Sequence, residues 1–382
     1  MKKSLLFFAI LLLSNMAFAQ SSVPEKPDAD NKFVLAGNAQ ILYSSSKDAK
    51  GFGDLGFKPI FLVSLSDQLF FEGEMEFGTS ETGVETVLEY ANMCYLLNDY
   101  VTLHAGRFLP KFGAYRGRFG EAFLNHFASD AVGFGDGGIG AMNEMGVGAQ
   151  GGFNIGATKL NYDFYLSNGT QFNSTGENIG NMEYEAYVPN NKKQAIGGRV
   201  GILPLSNSSL EIGYSFQQKS KTTADADIPN AKVFMQAVDV NYIQPVSELS
   251  STIRLQGEYK TQDISDAGTT LLVANDPTSA VSLDTKKSAY YVSATIRPSL
   301  VQNKILRNID FALRFSGYNL PSGVMWDGTA NNAVAMESVK LRQTEYSVNY
   351  WLKYNTVVKF TYVTRNASDY NPTFMCQFVM GF

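Results

Sequence analysis

The stretch "TIRLQGEYKT", residues 252–261, sorts its side chains by parity. Ile253, Leu255, Gly257 and Tyr259 fall on one set, and Arg254, Gln256, Glu258 and Lys260 on the other. Alternate residues of a strand face opposite sides of a sheet, so this segment reads as a strand between an apolar and a polar environment. A soluble sheet puts the apolar side on a core and the charged side in bulk water. A membrane barrel reverses this, with apolar residues outward to lipid and charged ones inward. One strand does not separate the two. The punctuation of the whole chain does.

The same alternation runs through "LFFEGEMEF" (69–77), "KLNYDFYLS" (159–167), "SLEIGYSFQ" (209–217), "IDFALRFSG" (309–317) and "FMCQFVMGF" (374–382). Period-two patterning bounded by turn residues predicts sixteen strands. They lie near 33–44, 55–65, 68–78, 84–96, 100–108, 143–154, 157–167, 194–203, 209–218, 231–243, 250–262, 287–297, 308–318, 338–352, 355–365 and 373–382. Connections such as "SD", "LNDY", "IGA" and "KY" alternate in order with longer ones, among them 109–142, 168–193, 263–286 and 319–337. Short turns at one end and long loops at the other, with an even strand count, define a transmembrane antiparallel β-barrel. The fold class is therefore all-β, with both termini at the short-turn end. Tyr95, Tyr100, Tyr242, Tyr350, Trp351 and Tyr354 stand beside short turns, as an interfacial aromatic girdle requires. The chain stops at Phe382 on the apolar parity of its last strand, which resembles the assembly signal of bacterial outer-membrane proteins. On this reading Ile253, Leu255 and Tyr259 face lipid, while Arg254, Gln256, Glu258 and Lys260 face water.

The first residues suit an exported barrel. Lys2 and Lys3 precede the apolar run "LLFFAILLL" (5–13) and a small-x-small "AFA" (17–19). Residues 1–19 read as a signal peptide cut before Gln20, and 20–31 as a short polar periplasmic leader ahead of a barrel over 32–382. Removing the two lysines takes Lys+Arg from 31 to 29 against 36 acids, a charge of −7. Nothing in that balance invites nucleic acid. Two cysteines, Cys94 and Cys376, fall on strands that are not neighbours and read as free thiols.

Sixteen strands enclose an aqueous passage, whereas about eight fill with side chains. What narrows it is expected from loop 109–142, the third long connection, which folds inward on this reading and carries a short helix at "EAFLNHFA" (121–128). The candidate pore-lining and constriction residues are of both signs. Glu72, Glu74, Glu76, Glu85 and Glu89 lie on the polar parity of the third and fourth strands. Arg199, Arg254, Lys260, Arg297, Arg314 and Lys359 do so on the far arc, and Arg107, Lys111, Arg116 and Arg118 come from the loop and its entry. Opposed charged walls produce a transverse field that orients dipolar solutes. In the fourteenth strand Lys340 and Arg342 share parity with Tyr346 and Tyr350, which predicts a bulge near Gln343.

"GRFLPKFG" (106–113) resembles the glycine–Arg/Gln–Phe, Pro, Phe–Gly stretch of the phosphate-selective porin family, matched at Gly106, Arg107, Phe108, Pro110, Phe112 and Gly113. Lys111 intervenes where that family places Pro directly before Phe-Gly. The resemblance implies passive diffusion of small hydrophilic solutes with a weak anion or phosphate preference, outer-membrane lipid as surroundings, and a homotrimer.

Other motifs carry less. "GFGDGG" (133–138) and "GVGAQGG" (146–152) match a dinucleotide fingerprint without its strand–helix context. His104 and His126 are the only histidines, too few for a site of several His around zinc, and His104 points by parity to the lumen, away from any lipid substrate. No cofactor and no enzymatic activity are expected. The alternative function is a surface-binding or adhesion barrel acting through its long loops.

Overall fold

The computed structural model describes residues 33–382 except 81–82, 136, 174–179, 186–192, 221, 223–230, 274–275, 327–332 and 368–369. The signal peptide and leader assigned from the sequence lie outside the described residues. Sixteen antiparallel strands close into one barrel, each paired with its neighbours in chain order. They are β1 Phe33–Ser45, β2 Lys50–Ser64, β3 Leu69–Ser80, β4 Gly83–Leu96, β5 Val101–Phe108, β6 Glu144–Ile155, β7 Thr158–Ser167 and β8 Ala195–Leu203. Then follow β9 Leu210–Lys219, β10 Lys232–Val246, β11 Ser251–Ser265, β12 Thr285–Arg297, β13 Ile309–Leu320, β14 Val339–Lys353, β15 Thr356–Arg365 and β16 Thr373–Gly381. Among the described residues the long loops carry three two-stranded sheets, pairing Gln171–Phe172 with Met182–Glu183, Thr269–Val273 with Asp276–Ser282, and Gly323–Trp326 with Ala333–Met336.

The seam joins β1 to β16, from Asn38 opposite Gly381 to Ser45 opposite Phe374. Phe382 extends it. Its N–H donates to Gly37 O at 3.0 Å, its carbonyl accepts from Gly37 N at 3.1 Å, and its ring stacks on Phe57 at 5.7 Å. Closure removes both sheet edges, which in lipid would leave backbone groups without partners.

The outer face is the apolar one. Leu255, Tyr259, Phe311, Phe315, Tyr346 and Phe360 are exposed, while their inward neighbours Glu258, Lys260, Asp310, Arg314, Glu345 and Lys359 are buried. Exposed apolar side chains backed by buried charges are what hydrocarbon outside and a polar interior demand.

Four local readings are corrected. β2 starts at Lys50 and not at 55, because β1 and β2 stay paired up to Ser45 opposite Lys50. No bulge occurs at Gln343, where β13 and β14 pair in unbroken register. Lys340 and Arg342 keep the outward parity at the long-loop end of β14, where Arg342 reaches Asn319 at 3.0 Å and lies over the Tyr290 ring. Charges are tolerated there because the strand has left the hydrocarbon. Trp351 points inward and does not belong to the girdle; its indole N–H donates to Asp310 Oδ2 at 2.5 Å. Segment 121–128 forms turns in place of the helix, and a single helical turn falls earlier, at Tyr115–Phe119. The reason is competition for backbone groups. Lys359 Nζ donates to the carbonyls of Ala122 and Phe127, and Ala128 N–H donates to Thr361 Oγ1 at 3.0 Å.

Candidate functional site

The interior is divided, and segment 109–143 divides it. The segment begins at a sharp turn. Gly113 has φ +70, and its N–H donates to Ser215 Oγ of β9 at 2.9 Å. The next two N–H groups, of Ala114 and Tyr115, both donate to Glu258 Oε2 of β11 at 2.8 Å. A carboxylate buried under the loop is thus satisfied by backbone donors. Further along, Arg314 of β13 binds Glu345 of β14 in a two-pronged pair at 2.5 and 2.6 Å. The same guanidinium donates to Ser129 O at 2.5 Å and Tyr115 Oη at 3.2 Å. Gln343 Nε2 donates to Asp130 O at 3.0 Å, and Asn349 Nδ2 to His126 O at 2.9 Å.

Over β10–β13 the space between loop and wall is dry. Phe112, Tyr115, Phe134 and Ile139 of the loop pack with Phe172, Met182 and Tyr184 of the next long loop. Against them stand Val233 and Met235 of β10, Ala289 and Tyr291 of β12, and Tyr318 of β13. Tyr115, Phe134 and Tyr291 form a triangle with ring centroids 5.0–5.2 Å apart. Each such buried side chain stabilises the packed state by about 1.5–3 kcal/mol. At Val233, Met235, Ala289, Tyr291 and Tyr318 the wall therefore meets a protein core on its inner face, while its outer face stays apolar.

Polar groups collect on the opposite arc. Glu72 accepts from Asn92 Nδ2 at 3.0 Å. Lys58 of β2 pairs with Glu76 at 2.9 Å. In β4 the register slips at Glu89, since Glu74 pairs with Tyr90 and Met75 with Leu88. Such a bulge frees carbonyls, and Arg107 takes them, its Nε donating to Leu88 O at 3.0 Å and Glu89 O at 3.1 Å. Glu89 meets Asn143 Nδ2 at 2.8 Å and Arg116 at 3.6 Å. Glu121 of the loop accepts from Asn38 Nδ2 of β1 at 3.2 Å. Glu74 is buried beside Tyr90, and Glu85 is exposed near the start of β4.

The remaining cations named from the sequence each have partners. Arg107 and Arg116 both reach Glu185, at 3.6 and 3.8 Å. Lys111 meets Gln150 at 2.6 Å and Asp163 at 3.6 Å. Arg118 pairs with Glu211, and Arg199 with Asp239 at 2.6 Å and Glu211 at 3.1 Å. Arg254 Nη1 lies 3.0 Å from His126 Nε2. Lys260 sits 4.0 Å over the Phe134 ring. Arg297 donates to Arg307 O at 2.8 Å in the short-turn end, and Lys359 is spent on loop carbonyls and on Gln377 at 2.9 Å. Bases of the far arc thus alternate with Glu258, which parity had already turned inward, and with Glu211, Asp239, Asp310 and Glu345, which were not among the candidates. Their signal was available, because each carries the inward parity of its strand. Among the described residues no group of His, Cys, Asp and Glu is arranged to hold a metal ion.

This closed barrel, with its inner loop, has the architecture of the sixteen-stranded outer-membrane porins. No protein-family profile and no curated protein matches the sequence. Solved structures do. Salmonella typhi OmpF in complex with daunomycin aligns with a TM-score of 0.56 and 13% identity over 94% of this chain and 100% of its own. The trimer form of OmpT, an outer-membrane protein of Vibrio cholerae, gives 0.53 and 10% over 92% of this chain and 99% of its own. An anion-selective porin from Comamonas acidovorans gives 0.52 and 13% over 92% and 99%. At such identities the likeness is one of fold.

Proposed function

We propose that the chain is an outer-membrane porin, exported by residues 1–19 and giving passive diffusion to small hydrophilic solutes. The observation that carries this reading is the split interior. One half of the lumen is packed, while the other presents partly exposed charges of both signs at Lys58, Glu76, Glu89, Arg116 and Glu121. Half-hydrated charged groups across from a fixed loop suit a polar constriction. Conductance steps in planar bilayers test it, and their absence from folded, inserted protein would end it.

A weak anion or phosphate preference, expected from the loop and far-wall cations, loses support from the pairings. Arg199, Arg314 and Lys359 are buried and engaged, and Arg297 is tied to a turn. At the polar arc Glu76, Glu89 and Glu121 stand against Lys58 and Arg116. We therefore assign the passage a weak cation preference. In a salt gradient, Glu76→Gln should move the reversal potential toward anions and Lys58→Gln away from them.

A homotrimer fits one feature of the wall. β5 has 8 residues and β8 has 9, against 15 in β10 and β11. An 8-residue strand tilted about 40° spans only about 20 Å, short of the apolar band of about 25 Å. A neighbouring copy would cover that low wall. The second reading, a surface-binding barrel, is favoured by the apolar core in the lumen, and absent conductance with retained loop structure would select it.

A further inference from the structure

His126 stands at the end of a chain of polar contacts that the passage itself does not need. Its Nε2 is 3.0 Å from Arg254 Nη1 of β11, and its Nδ1 faces Asp310 Oδ2 of β13 at 3.3 Å. Asp310 in turn accepts from Asn349 Nδ2 at 2.6 Å and Trp351 Nε1 at 2.5 Å, both of β14. A guanidinium only donates and does not deprotonate in proteins. Nε2 therefore bears the lone pair, Nδ1 bears the proton toward Asp310, and the ring is neutral. No other choice of tautomer gives Arg254 an acceptor here.

We propose that His126 is an acid switch that seats the Arg254 guanidinium at neutral pH and turns it out into the lumen on taking a proton at Nε2. The proton comes from solvent and occupies the lone pair that Arg254 Nη1–H used. Two donors and two positive charges then face each other at hydrogen-bond distance. The ring keeps Asp310, and its backbone carbonyl keeps Asn349. Lys359 and Thr361 of β15 still hold the carbonyl of Phe127 and the N–H of Ala128. The loop stays anchored, so the group free to move is Arg254, which is half-buried.

Other charges facing the ring set the direction. Burial holds the imidazole below its ordinary value; Asp310 pulls the other way, while Arg254 and Lys359 push it down further. Arg297 of β12 lies over the Trp351 ring, 5.5 Å from its centroid. The seated form binds fewer protons at this ring than the released form. It is thus favoured above pH of about 6.5 and weakened up to about ten-fold per unit as pH falls from there toward the seated value.

Trp351 supplies a readout that does not depend on conduction. Its ring centroid is 6.1 Å from that of His126, and the only other tryptophan is Trp326. In full-length Trp326→Phe protein, folded in detergent, Trp351 emission should fall as His126 charges, with a midpoint below pH 6.5. His126→Gln should flatten this titration. Arg254→Gln should keep it and raise its midpoint, since the opposing cation is gone while Asp310 remains. In bilayers, the same titration should move the reversal potential toward anions. This last arm rests on the porin reading, and the fluorescence arm does not. A flat wild-type titration between pH 4 and 7, one that persists in His126→Gln, or a midpoint unmoved in Arg254→Gln would each overturn the switch.

Discussion

Gly113 holds the loop's entry by what it lacks. Its φ of +70 lies where L side chains are strained, and a Cβ there would stand 2.0 Å from Glu258 Oε1. Gly113→Ala must distort the turn or displace a carboxylate that two loop N–H groups hold, and should cost about 1–3 kcal/mol. A lowered heat-unfolding midpoint in detergent, with the barrel still inserting, is the expected result. The outer face gives a second prediction at this scale. Leu255 is exposed to hydrocarbon, and Leu255→Arg should cost about 2–4 kcal/mol, seen as loss of folded yield in vesicles. Gln256→Ala, one residue along, loses a 3.3 Å hydrogen bond from Gln256 Nε2 to Asn241 Oδ1 and should fold at near-normal yield. Parity made this contrast legible in the sequence. It did not reveal that Trp351 serves Asp310, because an aromatic next to a turn looks the same from either side of the wall.

The loop shows where legibility stops among elements. The strands were readable because each repeats one physical requirement along its length, apolar then polar, and a slip of one residue would invert every side chain. Segment 109–143 repeats nothing. Apolar spacing at Phe123, Leu124 and Phe127 suggested a helix over 121–128, yet Lys359 and Thr361 claim the backbone groups that a helix needs. Those partners lie more than 230 residues away in sequence, and no local pattern signals them. The far-wall bases were visible for the same reason as the strands, and their engagement was not, because parity fixes a face and leaves open what stands opposite. Arg314 and Glu345 make the point testable. Glu345→Gln leaves a buried guanidinium without its counter-charge and should cost about 3–5 kcal/mol. Replacing both by leucine should cost less than either single change. A double-mutant cycle on heat unfolding measures this, and additive costs would mean the pair does not act as a unit.

Across the whole molecule the last residue closes what the first strand opens. Removing Phe382 deletes two backbone hydrogen bonds to Gly37 and the stack on Phe57. Each hydrogen bond is worth about 0.5–1.5 kcal/mol net, so the seam should weaken by about 1–3 kcal/mol. The fraction folded after dilution from urea into vesicles should fall accordingly. The dry core inside the lumen has a kinetic consequence. It joins loop residues around Phe134 to strands as far apart in sequence as β10 and β13, so its members meet only when the wall has curved far enough to bring them together. Until then β10 exposes an unbroken apolar run at "VFM" (233–235), tacky on both sides and prone to clumping in water. Insertion into lipid protects one side of that run at once, while the other waits for the loop. Refolding should accordingly proceed in two stages, a first in which sheet structure appears and a later one in which the interior sets, with protease cutting 109–143 between them.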